Sequence, residues 1–265
     1  MNTVMLIVRK ELNLGLRQNM TRATLALMTI LFTGIPTAFV YGFRSMDTKQ
    51  TNMGPLLDII KHQYPQLANL PQNEMAIAAL LTTMQNLFIL SPALIPLIMA
   101  VYSVIGEKQT RSLEALLATP ASTEQILAGK CIAAAVPGIL SGWVSYAVFL
   151  ALSLPALPRS IFDAVLIRPA WLAALLLLVP AIALATVVVG LMVSSRASDP
   201  QSAQQVGGLV VLPIVALIGG QASGLVQLST LVVLLAAVLL LAIDAALLSA
   251  AVKLFRRETI LTRWK

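Results

Sequence analysis

Residues 106–130 read GEKQTRSLEALLATPASTEQILAGK, the longest charge-bearing interruption within the strongly apolar part of the chain. Leu113, Leu116 and Leu117 fall at i, i+3 and i+4, which makes one apolar stripe on a short helix, while Gln109, Arg111 and Glu114 lie off it. Thr119-Pro120 ends that helix, because proline has no N–H for the helical ladder and drives the preceding residue out of helical geometry. A second helix then starts in one of two ways. Pro120 can occupy the first helical position after Thr119, or Ser122 can cap with Gln125 three residues on. Either way the stretch is a polar helix–turn–helix between apolar runs, and the fold depends on what those runs are.

Hydrophobic residues make up 58% of the 265 positions and charged residues only 11%, with a mean hydropathy of +0.87. A water-soluble domain of this length does not carry that balance, so the expectation is an all-α integral membrane protein. The net charge of +7 does not point to nucleic acid, which would need basic residues gathered on a soluble face. Here they stand at the ends of apolar segments, where they orient a membrane protein and meet lipid headgroups. Cys131 is the single cysteine, which rules out an intrachain disulfide or a cysteine-built metal site.

Six spans are expected. Between Arg22 and Arg44 no charge occurs, enough chain to cross ~30 Å of hydrocarbon at ~1.5 Å per residue. Span 1 is therefore placed at 24–43, followed by an outer loop at 44–80 that carries a short helix near Pro55 and the lone histidine, His62, read as solvated. Span 2 is placed at 82–105, bent by Pro92 and Pro96, and span 3 at 131–154. Gly138 and Gly142 in span 3 form a small-x-x-x-small pair for close helix approach. An outer loop at 155–169 leads to span 4 at 170–193. From Pro200 to Ile243 no ionisable group occurs, and Gly219-Gly220-Gln221-Ala222-Ser223-Gly224 divides that run into spans at 206–221 and 226–252. Ahead of all six, residues 3–17 place Met5, Val8, Leu12 and Leu16 on one side, the pattern of an amphipathic helix lying on the membrane surface. Arg9, Lys10 and Glu11 break the first apolar run, so no cleavable signal is expected. With both termini in the cytoplasm, thirteen of the 18 basic residues face inward, leaving only Arg44, Lys49, Lys61, Arg159 and Arg168 outside.

Chemistry-bearing motifs are scarce. No G-x-x-x-x-G-K-[ST] phosphate loop occurs, since Gly129-Lys130 lacks the earlier glycine and precedes cysteine. One histidine in an outer loop supplies neither H-E-x-x-H nor a nucleophile–base pair. No catalytic residue, no metal ligand and no bound cofactor are expected. Asp244 is the one acidic residue well inside a span. It reads either as a polar contact on a substrate path or helix lock, with Arg196 or Gln204-Gln205 as partner, or as a carboxyl hydrated or satisfied by hydroxyls near the cytoplasmic boundary.

The pattern E-x-x-x-x-S-L-E-x-L-L-A-T-P-x-S-x-x-x-I-L-x-G-K, carried by Glu107, Ser112 to Pro120, Ser122 and Ile126 to Lys130, resembles the cytoplasmic loop after the second span in permeases of type-2 ATP-binding-cassette exporters. A second segment, S-S-R-x-x-D-x-x-x-A-Q-Q at Ser194 to Gln205, is similar to the join between their fourth and fifth spans. The resemblance implies a coupling helix that docks on a separate ATPase subunit through Glu107, Arg111, Leu113, Glu114, Leu116, Leu117, Thr119 and Pro120. It also implies that the amphipathic helix touches the ATPase, although a plain membrane anchor explains those residues equally. By the same resemblance the partners are two copies of the ATPase, which bind ATP and Mg, and a second permease, either identical or similar. The function expected is the transmembrane half of an ATP-driven exporter in the cell membrane. The alternative is a gradient-driven transporter or channel of six spans, which would call for several buried charges where only Asp244 qualifies.

Overall fold

The computed structural model describes residues 3–17, 19–45, 61, 71–110, 112, 121–223, 225–226 and 229–255. Among them there is no strand, and six helical stretches are long and apolar enough to cross a membrane: Thr21–Gly42, Glu74–Gln109, Thr123–Ser153, Pro169–Arg196, Pro200–Gln221 and Thr230–Leu254. The chain is a multi-pass membrane protein. Ahead of the spans lies α1 (Thr3–Arg17), and α2 (Asn19–Ser45) contains span 1.

Span 2 is two helices, α3 (Gln72–Gln85) and α4 (Leu87–Gln109), joined at Asn86. Its helical part thus begins inside the stretch read as outer loop. Asn86 satisfies the break locally, its Nδ2 donating to the Thr82 carbonyl at 3.0 Å. Helix α5 (Thr123–Ser153) is span 3, and of the two starts open to the sequence the chain uses Ser122. The Gln125 amide donates to Ser122 Oγ at 3.2 Å, and the Ser122 amide donates to Gln125 Oε1 at 3.1 Å.

The stretch 155–169, expected as an outer loop, turns one side into the core and leaves Arg159, Ser160 and Asp163 exposed. After α6 (Arg159–Ile161) the backbone widens into a π-helical turn, Phe162–Leu166. Ile161, Val165 and Leu166 are fully buried against Phe88, Phe149 and Trp171. Gln85 Nε2 donates to Tyr146 Oη at 2.8 Å and to the Val165 carbonyl at 3.2 Å, and Tyr146 donates to the Leu166 carbonyl. Burying the last carbonyls of so short a helical turn inside a membrane protein requires such donors, because lipid offers none.

Span 4 runs through α7 (Pro169–Ala173), a second π-helical turn at Ala174–Leu178, and α8 (Val179–Arg196). Pro180 has no N–H to give the π-helical turn before it, and the carbonyl of Leu175, five residues back, accepts from Trp143 Nε1 at 2.9 Å instead. Span 5 comprises α9 (Pro200–Gly208), a 3-10 turn at Leu209–Val211 and α10 (Leu212–Ala222). It starts earlier than expected because Asp199 caps it. Span 6 is α11 (Thr230–Leu254), capped by Ser229.

Polar rungs fix the sense of the spans. Thr29 Oγ1 meets Ser141 Oγ at 2.8 Å, Thr33 Oγ1 donates to the Ser145 carbonyl at 3.4 Å and Tyr41 Oη to the Leu152 carbonyl at 3.0 Å. Both numbers rise together, so spans 1 and 3 are parallel. Span 2 runs against span 3. A Cβ on Gly138 would lie 2.4 Å from Pro96 Cγ and one on Gly142 2.9 Å from Pro92 Cγ. The proline rings seat in the bare patch the two glycines leave, which is the close approach expected of that pair. Span 2 is the most enclosed, with 72% of its apolar window buried, against 11% for span 5 and 17% for span 6. The latter two leave their apolar faces to lipid or another subunit.

Candidate functional site

The charged residues that the structure brings together lie at one end of the bundle, where α1 crosses the last turns of α4 and the first turns of α5. Helix α1 turns Ile7, Val8 and Glu11 inward. Of the four residues expected on its apolar side, Val8 is buried and Leu12 half-buried, while Met5 is 62% and Leu16 42% exposed. Ile7 rests on Gly129, where a Cβ would fall 2.6 Å from Ile7 Cγ2. The absent side chain is what lets α1 approach.

Beside that contact, Lys130 is 3% exposed. Its Nζ stands 3.2 Å from Glu11 Oε1, 2.9 Å from Glu107 Oε2 and 2.7 Å from Ser103 Oγ. The Glu107 contact is an ion pair without hydrogen-bond alignment at Oε2. Ser103 passes its own proton on, donating to Glu11 Oε2 at 2.8 Å. On the solvent side Lys10 Nζ donates to Glu107 Oε1 at 3.1 Å and lies 3.5 Å from Glu11 Oε1. Two cations and two carboxylates balance, so the cluster is buried without net charge, the condition under which such burial is tolerated.

The surroundings tune the groups on α1. Burial by itself would raise the Glu11 carboxyl, but the Lys130 charge, the Ser103 hydroxyl and Lys10 outweigh it and hold Glu11 below its ordinary range. Burial would likewise lower Lys10, yet Glu107 and then Glu11 outweigh it and hold the ammonium above its usual value. Glu11 and Lys10 are thus both held in their ionised forms by the groups that face them.

Of the residues implied in coupling, Glu107 is placed here, 8% exposed and turned inward. Arg111, Leu113, Glu114, Leu116, Leu117, Thr119 and Pro120 lie outside the described residues, as do His62, residues 46–60 and residues 256–265. Asp244 is 2% exposed, and neither of its carboxylate oxygens has a hydrogen-bond partner among the described residues. Among the described residues neither Arg196, Gln204-Gln205 nor a hydroxyl hydrogen-bonds to it.

Glu11, Lys10 and Ser103 escaped the sequence reading. Their signal was present: Ile7 and Glu11 are four apart on one face of α1, and Ser103 and Glu107 are four apart on α4. An acid spaced to share a face with a buried isoleucine is a candidate for a buried partner. Glu107, Gly129 and Lys130, three positions of the long motif, turn out to be one joint.

Compared with known families, residues 5–234 match the model for the ABC-2 family transporter protein. No curated protein matches the chain.

Proposed function

Since the chain belongs to the ABC-2 transporter family, whose members are permeases and not themselves catalytic, we propose that it forms the substrate path of an ATP-driven exporter. In this reading the 106–130 segment receives motion from a separate ATPase. The single observation that supports it is the neutral ion cluster at the root of that segment. Glu107 stands on the last turn of α4 and Lys130 on the second turn of α5, so the two ends of the segment are tied to each other and to α1. A push on the segment then displaces α1, span 2 and span 3 as a unit, because separating buried opposite charges costs several kcal/mol. Two ATPase copies drawn together by ATP, and a second permease across the exposed faces of spans 5 and 6, would complete a machine alternating between inward and outward access. Both termini and the segment lie in the cytoplasm in this arrangement, where ATP is available.

The test is purification from native membranes under mild detergent, identification of bound soluble chains, and ATPase assay of the complex. An ATPase subunit at one copy per permease supports the reading. Recovery of the permease with no nucleotide-hydrolysing chain, or labelling of Ser112→Cys from the outer face of intact cells, would overturn it.

A further inference from the structure

The residue after Glu107 points the opposite way. Lys108 Nζ donates to the carbonyls of Ser194 at 2.8 Å, Ser195 at 2.6 Å and Ala197 at 3.1 Å. Ser194 and Ser195 belong to the last turn of α8 and Ala197 follows directly as its C-cap, at the end where the final carbonyls have no helical donor and carry the negative end of the helix dipole. A side chain on span 2 therefore supplies the C-terminal cap of span 4. Only a short turn separates that cap from the start of span 5, where Asp199 Oδ1 accepts from the Ser202 amide at 2.8 Å. Span 5 then returns to span 2: Ala203 is fully buried among Leu97, Val101 and Ile105. A Cβ on Gly207 would lie 2.8 Å from Leu97 Cδ1.

We propose that Lys108 is a positioning residue that carries the motion of the 106–130 segment to the turn between spans 4 and 5. This rests on the coupling reading above and adds a second arm to it. Glu107 holds α1 and span 3 while Lys108 holds span 4 and, through the short turn, the inner end of span 5. Span 5 is the least enclosed of the six, so beyond the contacts of Ala203 and Gly207 with span 2 little of its own bundle resists a displacement. Three carbonyls from one helix end, gathered on one ammonium, let the lysine stem pivot without releasing its load. A hydrophobic contact of the same size would slide.

The test uses the full permease with its ATPase in nanodiscs, in a Cys131→Ser background, with spin labels at Ser112→Cys and Ser198→Cys. With Lys108 present, the distance between the labels should be narrow and unchanged by ATP, since both ride on span 2. Lys108→Met should broaden it and reduce ATP-driven transport about tenfold, within the usual range of coupling between sites, while ATPase binding persists. Lys108→Arg, which keeps charge and donors, should restore both; a purely space-filling role would not separate Arg from Met. A narrow distribution in Lys108→Met, or full transport by it, overturns the proposal. Should no ATPase accompany the permease, the coupling reading falls and the inference with it. That failure is recognisable because the label distances, measured on the permease alone, still respond to Lys108→Met.

Discussion

Lys130→Met isolates the worth of the buried cluster. The substitution keeps the length of the side chain and removes a cation whose Nζ lies within 3.2 Å of Glu11 Oε1 and 2.9 Å of Glu107 Oε2. Leaving a buried charge without its partner costs about 3–5 kcal/mol. Lys10 remains 3.1 Å from Glu107 and 3.5 Å from Glu11, but its side chain is 45% exposed and screened, so it stabilises the orphaned pair only in part. The lower end, about 3 kcal/mol, is expected. At roughly 2–4 °C per kcal/mol for a chain of this size, thermal unfolding in detergent should fall by about 6–12 °C. Trp171, buried in the core, gives a fluorescence readout. The double variant Lys130→Met with Glu11→Leu leaves Lys10 and Glu107 as a balanced pair and should recover most of the loss, giving a coupling energy of about 1–3 kcal/mol in the cycle. Unfolding of the single variant within about 2 °C of the parent, which at the same scaling is under ~1 kcal/mol, would refute the reasoning. So would a double variant no more stable than the single one.

Gly138→Ala should destabilise by about 1–3 kcal/mol, because its Cβ would meet the Pro96 ring at 2.4 Å, whereas Gly34→Ala, with nothing within 4 Å, should be neutral or better; equal melting of the two would contradict the packing. Gly129→Ala should lift α1 off the bundle, seen as thiol labelling of Val8→Cys, and Ile7→Ala in the same chain should suppress it, since the clash is with Ile7 Cγ2 at 2.6 Å. The attachment of α1 should depend on pH at both extremes. Glu11 is held below 4.5, so its contribution is complete above that pH and is lost as pH falls through the lowered value. Lys10 is held above 10.5, so its contribution is complete below that pH and is lost as pH rises through the raised value. Protection of Val8→Cys, taken as its labelling rate relative to the unfolded chain at the same pH so that the thiolate fraction cancels, should therefore stay flat between about pH 5 and 10, and a step near neutrality would count against the assignment. Asp244→Leu removes two buried oxygens without hydrogen-bond partners among the described residues and should raise stability by about 1–3 kcal/mol; a lower melting temperature would reveal a partner for the carboxyl, and a loss of transport at unchanged stability would place Asp244 on the substrate path.

The sequence by itself determined the class of the protein and the number of its apolar crossings. Both follow from hydropathy and from the places where charge is allowed, and neither depends on which helix meets which. It also marked Gly138 with Gly142 and Ser122 with Gln125, since a small-residue pair and a capping box act over one or two turns of chain. The ends of the helices were less legible than the apolar runs. Helix continued past Ile105 to Gln109, began at Gln72 and was resumed at Pro200, because caps and buried contacts, not hydropathy, end a membrane helix. The segment at 155–169 looked like a loop from its prolines and charges, but donors from Gln85 and Tyr146, more than sixty residues away for the first, make its burial possible. The joint was decided only in three dimensions. Glu11, Ser103, Glu107 and Lys130 come from three helices, and Lys108 reaches a fourth; read along its own helix, none of them shows which partner it meets. Whether a charge is solvated or buried depends on the charge opposite it, and tertiary packing alone supplies that neighbour.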